Sequence, residues 1–160
     1  MTARYLGEPR VEFQVEWSYE VDRRPHAAER AIVATCLSKH VHGVLRALGL
    51  RRPKVYFVKP GQIDDHLSRY CSGTYGRPHI AIDLAAHERA SAAGRGEVAD
   101  LLESSLLHEY AHAYFDASCG DEDRPEDEEE LAEEFAFNVW RTGDYESAIE
   151  RLRDAIPEVT

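Results

Sequence analysis

The chain has 160 residues, enough for one domain, and 43% of them are hydrophobic, enough for a packed core. Nineteen Lys and Arg stand against 30 Asp and Glu, and a net charge of −11 argues against nucleic acid or an anionic membrane as partner. The three cysteines (Cys36, Cys71 and Cys119) are widely spaced and form no CxxC pair, which argues against a disulfide framework and points to the cytoplasm.

No apolar run is long enough for a membrane helix, and the first residues lack the apolar stretch of a secretory signal. Val11 to Trp17 alternates apolar and polar residues, the period of a half-buried strand. Ala27 to Leu48 carries apolar residues at helical spacing, with Gly49 as the stop. Val55 to Val58 reads as a strand closed by the turn pair Pro60-Gly61. Residues 61–78 read as irregular, with a short helix at Ile63–Tyr70, and His79 to Asp83 as a short strand. Ser91 to Gly96 is a loop of small residues.

The strongest helix spans Val98 to Ala117. An acidic linker follows, from Cys119 to Asp127, and a second helix runs from Glu126 to Trp140. Gly143 breaks the chain, and Asp144 caps a last helix ending near Ala155. Strands come early and helices late. The reading is therefore α+β in one domain over 1–160, with a sheet-rich part (1–96, containing a helix) and a helical part (97–160).

His108-Glu109-Tyr110-Ala111-His112 is an HExxH motif. Residues i and i+4 share a helix face, so both imidazoles can reach one ion. Glu109 can then act as general base on a water that the ion activates. The plain alternative is two surface histidines on an amphipathic helix. The wheel opposes it. Asp100, Glu103 and Ser104 mark the polar side, Val98, Leu101, Leu102, Leu106 and Ala113 the apolar side, and the motif falls on or beside the latter. Ionisable groups facing a core need a partner or a metal.

A third ligand is needed. The third-His pattern HExxHxxGxxH is excluded, since Phe115 and Ser118 stand at its positions, and no His follows His112. On the second helix Glu129 falls on the arc of Ala132, Ala136 and Trp140, read as buried, with Glu133 at its edge. Glu129 is the best third ligand; Glu133 is the alternative, or an acceptor supporting a ligand His. Glu126 to Glu128, Glu130 and Glu134 read as solvated. The acidic stretch 121–134 could also serve as a lid over the site.

HExxH followed by Glu129-Glu-Leu-Ala-Glu-Glu-Phe-Ala136 resembles the gluzincin branch of the zincin metallopeptidases, including the ImmA/IrrE type and the compact minigluzincins. The likeness covers His79 to Trp140. Glu129 takes the ligand position, and Glu133 departs from the Asp or Asn usual at its place. A second register, Glu133-Glu-Phe-Ala136, would make Glu133 the ligand. The resemblance implies a zincin-like fold with a small twisted sheet, one Zn²⁺ per chain, and a zinc metalloendopeptidase. It also implies an edge strand that binds an extended peptide, here near His79–Asp83, and a Tyr or His stabilising the oxyanion. His79, Tyr70, Tyr75 and Tyr145 are the candidates for that last role. The competing reading is a zinc-binding regulatory or interaction domain without turnover.

Overall fold

A computed structural model describes residues 30–35, 41–51, 53–64, 66–71, 78–119 and 123–156. The strand expected at Val11 to Trp17 lies outside them. Residues 30–35 are helical, and π-type turns over Val41–Leu45 run into α-helical Arg46–Leu48, together α1. Gly49 stops α1 as expected. Its φ of 73° is left-handed, and its N–H donates to the Arg46 carbonyl.

Three strands follow: β1 (Lys54–Val58), β2 (Ser68–Cys71) and β3 (His79–Asp83), in the order β1-β3-β2. β3 runs parallel to β1, Lys54 facing His79, and antiparallel to β2, Ser68 facing Ile82. Two expectations are corrected here. The helix at Ile63–Tyr70 is absent, and Ser68–Cys71 is a strand. Four residues carry no period of their own, and only pairing with β3 defines them. Nor is His79–Asp83 an edge strand, since it is bonded on both sides and wholly buried. Among the described residues the open edges belong to β1 and β2.

Four helices complete the fold: α2 (Leu84–Ala92), α3 (Val98–Ser118), α4 (Glu128–Thr142) and α5 (Tyr145–Asp154). The arrangement is α+β with a mixed three-stranded sheet. Helix α2 absorbs Ser91 and Ala92 from the expected loop, and Asp83 caps it by accepting from the Ala86 N–H at 3.0 Å. Asp144 caps α5 in the same way, through Ser147.

One core joins sheet and helices. Ile80 and Ile82 of β3, Leu102, Leu106, Tyr110 and Phe115 of α3, and Leu131, Phe135 and Val139 of α4 share it. Full burial of each such side chain contributes roughly 1.5–3 kcal/mol. Ala132 and Ala136 are buried at the same interface, small enough to let α4 approach α3 closely. Trp140, expected beside them, is 43% exposed, and Glu103, expected on the polar side of α3, is buried. No helix among the described residues is long and apolar enough to cross a membrane.

Candidate metal centre

Helix α3 carries the motif in its middle, where packing rather than fraying controls each side chain. His108 and Glu109 are buried, Glu109 to 3% exposure. One helical turn brings the two imidazoles together, Nε2 to Nε2, at 3.1 Å. The first turn of α4 then presents Glu129. Its Oε1 lies 2.8 Å from His108 Nε2 and its Oε2 3.0 Å from His112 Nε2. These three residues form the one group among the described residues in which His, Cys, Asp or Glu atoms converge as metal ligands would. No cysteine belongs to it.

Glu129 reaches the site for a different reason from the one expected. It is 72% exposed, so it is not on a buried arc. The start of α4 lies against α3, and the carboxylate reaches in from solvent. Glu133, one turn on, goes to the other edge of the imidazole: its Oε1 is 3.0 Å from His108 Nδ1, out of line for a hydrogen bond. That is the supporting position, away from the Nε2 atoms.

Glu128 is the main residue that sequence reasoning missed. Read as solvated, it is only 15% exposed, and its Oε2 accepts from His112 Nδ1 at 2.5 Å. Arg124 grips it with two bonds, Nε to Oε1 at 2.7 Å and NH2 to Oε2 at 2.6 Å. Burial works against the charge on Glu128, but the Arg124 and His112 bonds outweigh it and hold the carboxyl below its usual range. The same guanidinium donates to Asp116 Oδ1 at 3.2 Å, and Tyr70 donates its hydroxyl to Asp116 Oδ2 at 3.1 Å.

An ionised Glu128 assigns the proton of His112 to Nδ1, so Nε2 shows its lone pair to the centre. The two oxygens of Glu129 are acceptors as well. Acceptors packed this closely repel unless a cation or proton lies between them, and the donor set of two imidazoles and a carboxylate suits a divalent metal ion.

Glu109 faces the cleft beside this group. Ser68 of β2 donates its Oγ to Glu109 Oε2 at 2.6 Å, a contact that no spacing in the sequence announces. Burial pushes the Glu109 carboxyl up, while His108, the Ser68 bond and His112 oppose the rise without cancelling it. The cleft has a volume of about 440 Å³ and is walled by β2 and the loop before it, with Asp64 and His66 at the rim. Asp83 pins that loop by accepting from the Gly61 N–H at 3.0 Å.

Of the oxyanion candidates, Tyr70 lines the cleft. Burial, then Asp116, raises its pKa far above the usual tyrosine value. His79 is buried in the central strand with its ring edge-on to Tyr56, and Tyr145 packs against Gly43. Tyr75 lies outside the described residues. No family model, curated protein or solved structure matches the chain.

Proposed function

We propose that the chain is a zinc-dependent metallopeptidase of the gluzincin type, in which His108, His112 and Glu129 hold the ion and Glu109 is the general base. The convergence of His108 Nε2, His112 Nε2 and Glu129 carries this reading. Bonds of 2.0–2.1 Å to a tetrahedral zinc separate ligands by about 3.3 Å. The three pairs stand at 2.8, 3.0 and 3.1 Å, within a small side-chain adjustment of that value.

Zinc held there would polarise a scissile carbonyl and lower the pKa of an attacking water. The chain's own residues supply the rest. Glu109, buried beside the ligands, takes the proton of that water and hands it to the leaving amine. Its Oε2 is fixed by Ser68, which leaves Oε1 for the transfer. Tyr70, the candidate on the cleft wall, is the proposed oxyanion donor, its hydroxyl turning from Asp116 to the substrate.

β2, rather than the expected β3, is the proposed substrate strand. β3 has no open edge, whereas β2 borders the cleft and is paired on one side among the described residues. An extended peptide would add to β2, its main chain bonded by residues 68–71. The cytoplasm is the proposed compartment, in keeping with three widely spaced cysteines that form no CxxC pair.

Elemental analysis and peptide-library cleavage test the reading together. The expected result is about one zinc per chain, kept in Glu133→Ala and lost in His112→Ala and Glu129→Ala. Cleavage should stop in Glu109→Gln. Wild-type protein that takes up no metal on reconstitution overturns the metal centre. Bound zinc with no peptide cleaved leaves a zinc-binding interaction domain instead.

A further inference from the structure

Arg124 lies in the acidic stretch that precedes α4, where the sequence suggests a lid. Its guanidinium is mostly withdrawn from water, and its donors are used on one side of the site. Nε and NH2 go to the two oxygens of Glu128, NH1 goes to Asp116, and NH2 also lies 3.4 Å from the His112 carbonyl. Two carboxylates are thereby held beside a third, Glu129, next in sequence to Glu128.

From this geometry we infer that Arg124 is a positioning residue of the metal centre, acting through Glu128 to fix the ring of His112. The inference rests on the metal site proposed above. Without Arg124, Glu128 would face the charges of Asp116 and Glu129 uncompensated and could swing to solvent. His112 would then lose the acceptor that orients its ring. A planar fork is required, because two parallel N–H bonds set the plane of Glu128, which a lysine's point charge cannot do. Asp116 braces the fork from behind, and the Tyr70 bond ties the brace to β2, the strand beside the cleft. The described part of the acidic stretch is thus a clamp on a ligand rather than a lid.

Zinc affinity measured by chelator competition, beside the visible spectrum of the Co²⁺-loaded protein, tests the inference without relying on turnover. Removal of such a supporting partner typically weakens a metal site by 10- to 100-fold. Glu128→Ala should lie in that range, and Arg124→Ala, one link further out, near its lower end at about 10-fold. Arg124→Lys should recover only part of the affinity, and both Arg124 variants should shift the Co²⁺ spectrum. In a Glu128→Ala background, Arg124→Ala should cost nothing more, because its path to His112 is already cut. Wild-type affinity in Arg124→Ala, or an undiminished loss in the double variant, overturns the inference and leaves the metal site standing. Failure of the wild type to bind metal overturns the site itself. Should Arg124→Ala not fold, Arg124→Lys decides, and full wild-type affinity there refutes the need for a fork.

Discussion

Ser68→Ala removes one hydrogen bond and little else. At 2.6 Å the bond from Ser68 Oγ to Glu109 Oε2 is short, and it becomes charge-assisted when the carboxylate is ionised. Such bonds are worth about 1.5–3 kcal/mol, which favours the anion by about 10- to 100-fold. Burial already disfavours that anion, and Ser68 is among the groups opposing the burial. Deleting the hydroxyl makes Glu109 hold its proton to higher pH. In the proposed peptidase mechanism Glu109 is the general base and works only when ionised, so the acid limb of the kcat/KM profile should move toward higher pH. Within that limb activity falls by about 10- to 100-fold, and on the alkaline side far less. The assay is kcat/KM against pH for wild type, Ser68→Ala and Ser68→Thr on one cleaved peptide, with zinc content measured at each pH. An equal loss at every pH would show Ser68 acting on substrate instead of on Glu109. An unchanged profile would show that the proposed reaction does not use this bond. Either result refutes the reasoning.

Glu109→Gln keeps the shape and still accepts from Ser68, but it cannot take a proton; cleavage should fall by at least about 10²-fold with zinc retained. Burial raises the folded-state pKa of Glu109 above its ordinary 4.5, so the cost of its charge is present above the folded pKa and fades as pH falls toward 4.5. Metal-free Glu109→Gln should therefore be more stable than metal-free wild type at neutral pH, with the gap closing on acidification in urea melts; a gap that stays constant removes the argument. Zinc at a hundredfold excess over its Kd should stabilise the fold by about 2.7 kcal/mol, an effect that calorimetry sees reversed by chelator and absent in His112→Ala. Wholly buried His87 donates Nδ1–H to the Asp83 carbonyl at 2.8 Å and accepts from Ser105 Oγ at 2.7 Å. Burial lowers its pKa below 6.5, so the folded state binds fewer protons than the unfolded chain, and stability from this group is lost as pH falls below 6.5. Ser105→Ala should cost about 1–3 kcal/mol at neutral pH by leaving Nε2 unpaired, and denaturation curves that coincide with wild type would contradict this.

The helical half was legible because its signals are local. HExxH needs only the geometry of one helical turn, and Asp144 and Gly143 mark ends that the structure keeps. Glu129 does converge on the two histidines, but its 72% exposure contradicts the buried arc expected of it. Contacts made across the chain were not legible. Ser68 and Glu109 are 41 positions apart, and Tyr70 and Asp116 are 46 apart. Glu128 looks like any carboxylate in an acidic run until Arg124 and His112 are brought to it. The central place of β3 likewise depends on two partners, of which one, β2, is too short to declare itself. Helix α2 did carry a local signal, Asp83 three residues before Ala86, but it followed a strand ending on the same aspartate.

The acidic residues at the head of α4 divide their work by burial. A helix start favours carboxylates by about 0.3–1 kcal/mol each, so the helix itself tolerates Glu128, Glu129 and Glu130. Glu128 is drawn in and neutralised by Arg124, and Glu129 next to it stays in water. Glu109, Glu128, Glu129 and Glu133 thus gather around two imidazoles, and the Arg124 guanidinium offsets Glu128 directly. A rigid, fully buried set of this kind would strain the metal-free fold. Leaving Glu129, the proposed third ligand, largely solvated eases that strain, because water screens its charge even though its oxygens lie 2.8 and 3.0 Å from the imidazole nitrogens. The exposure of Glu129 is then compatible with the proposed ligand role, since a fold that binds a metal has to be stable without it as well.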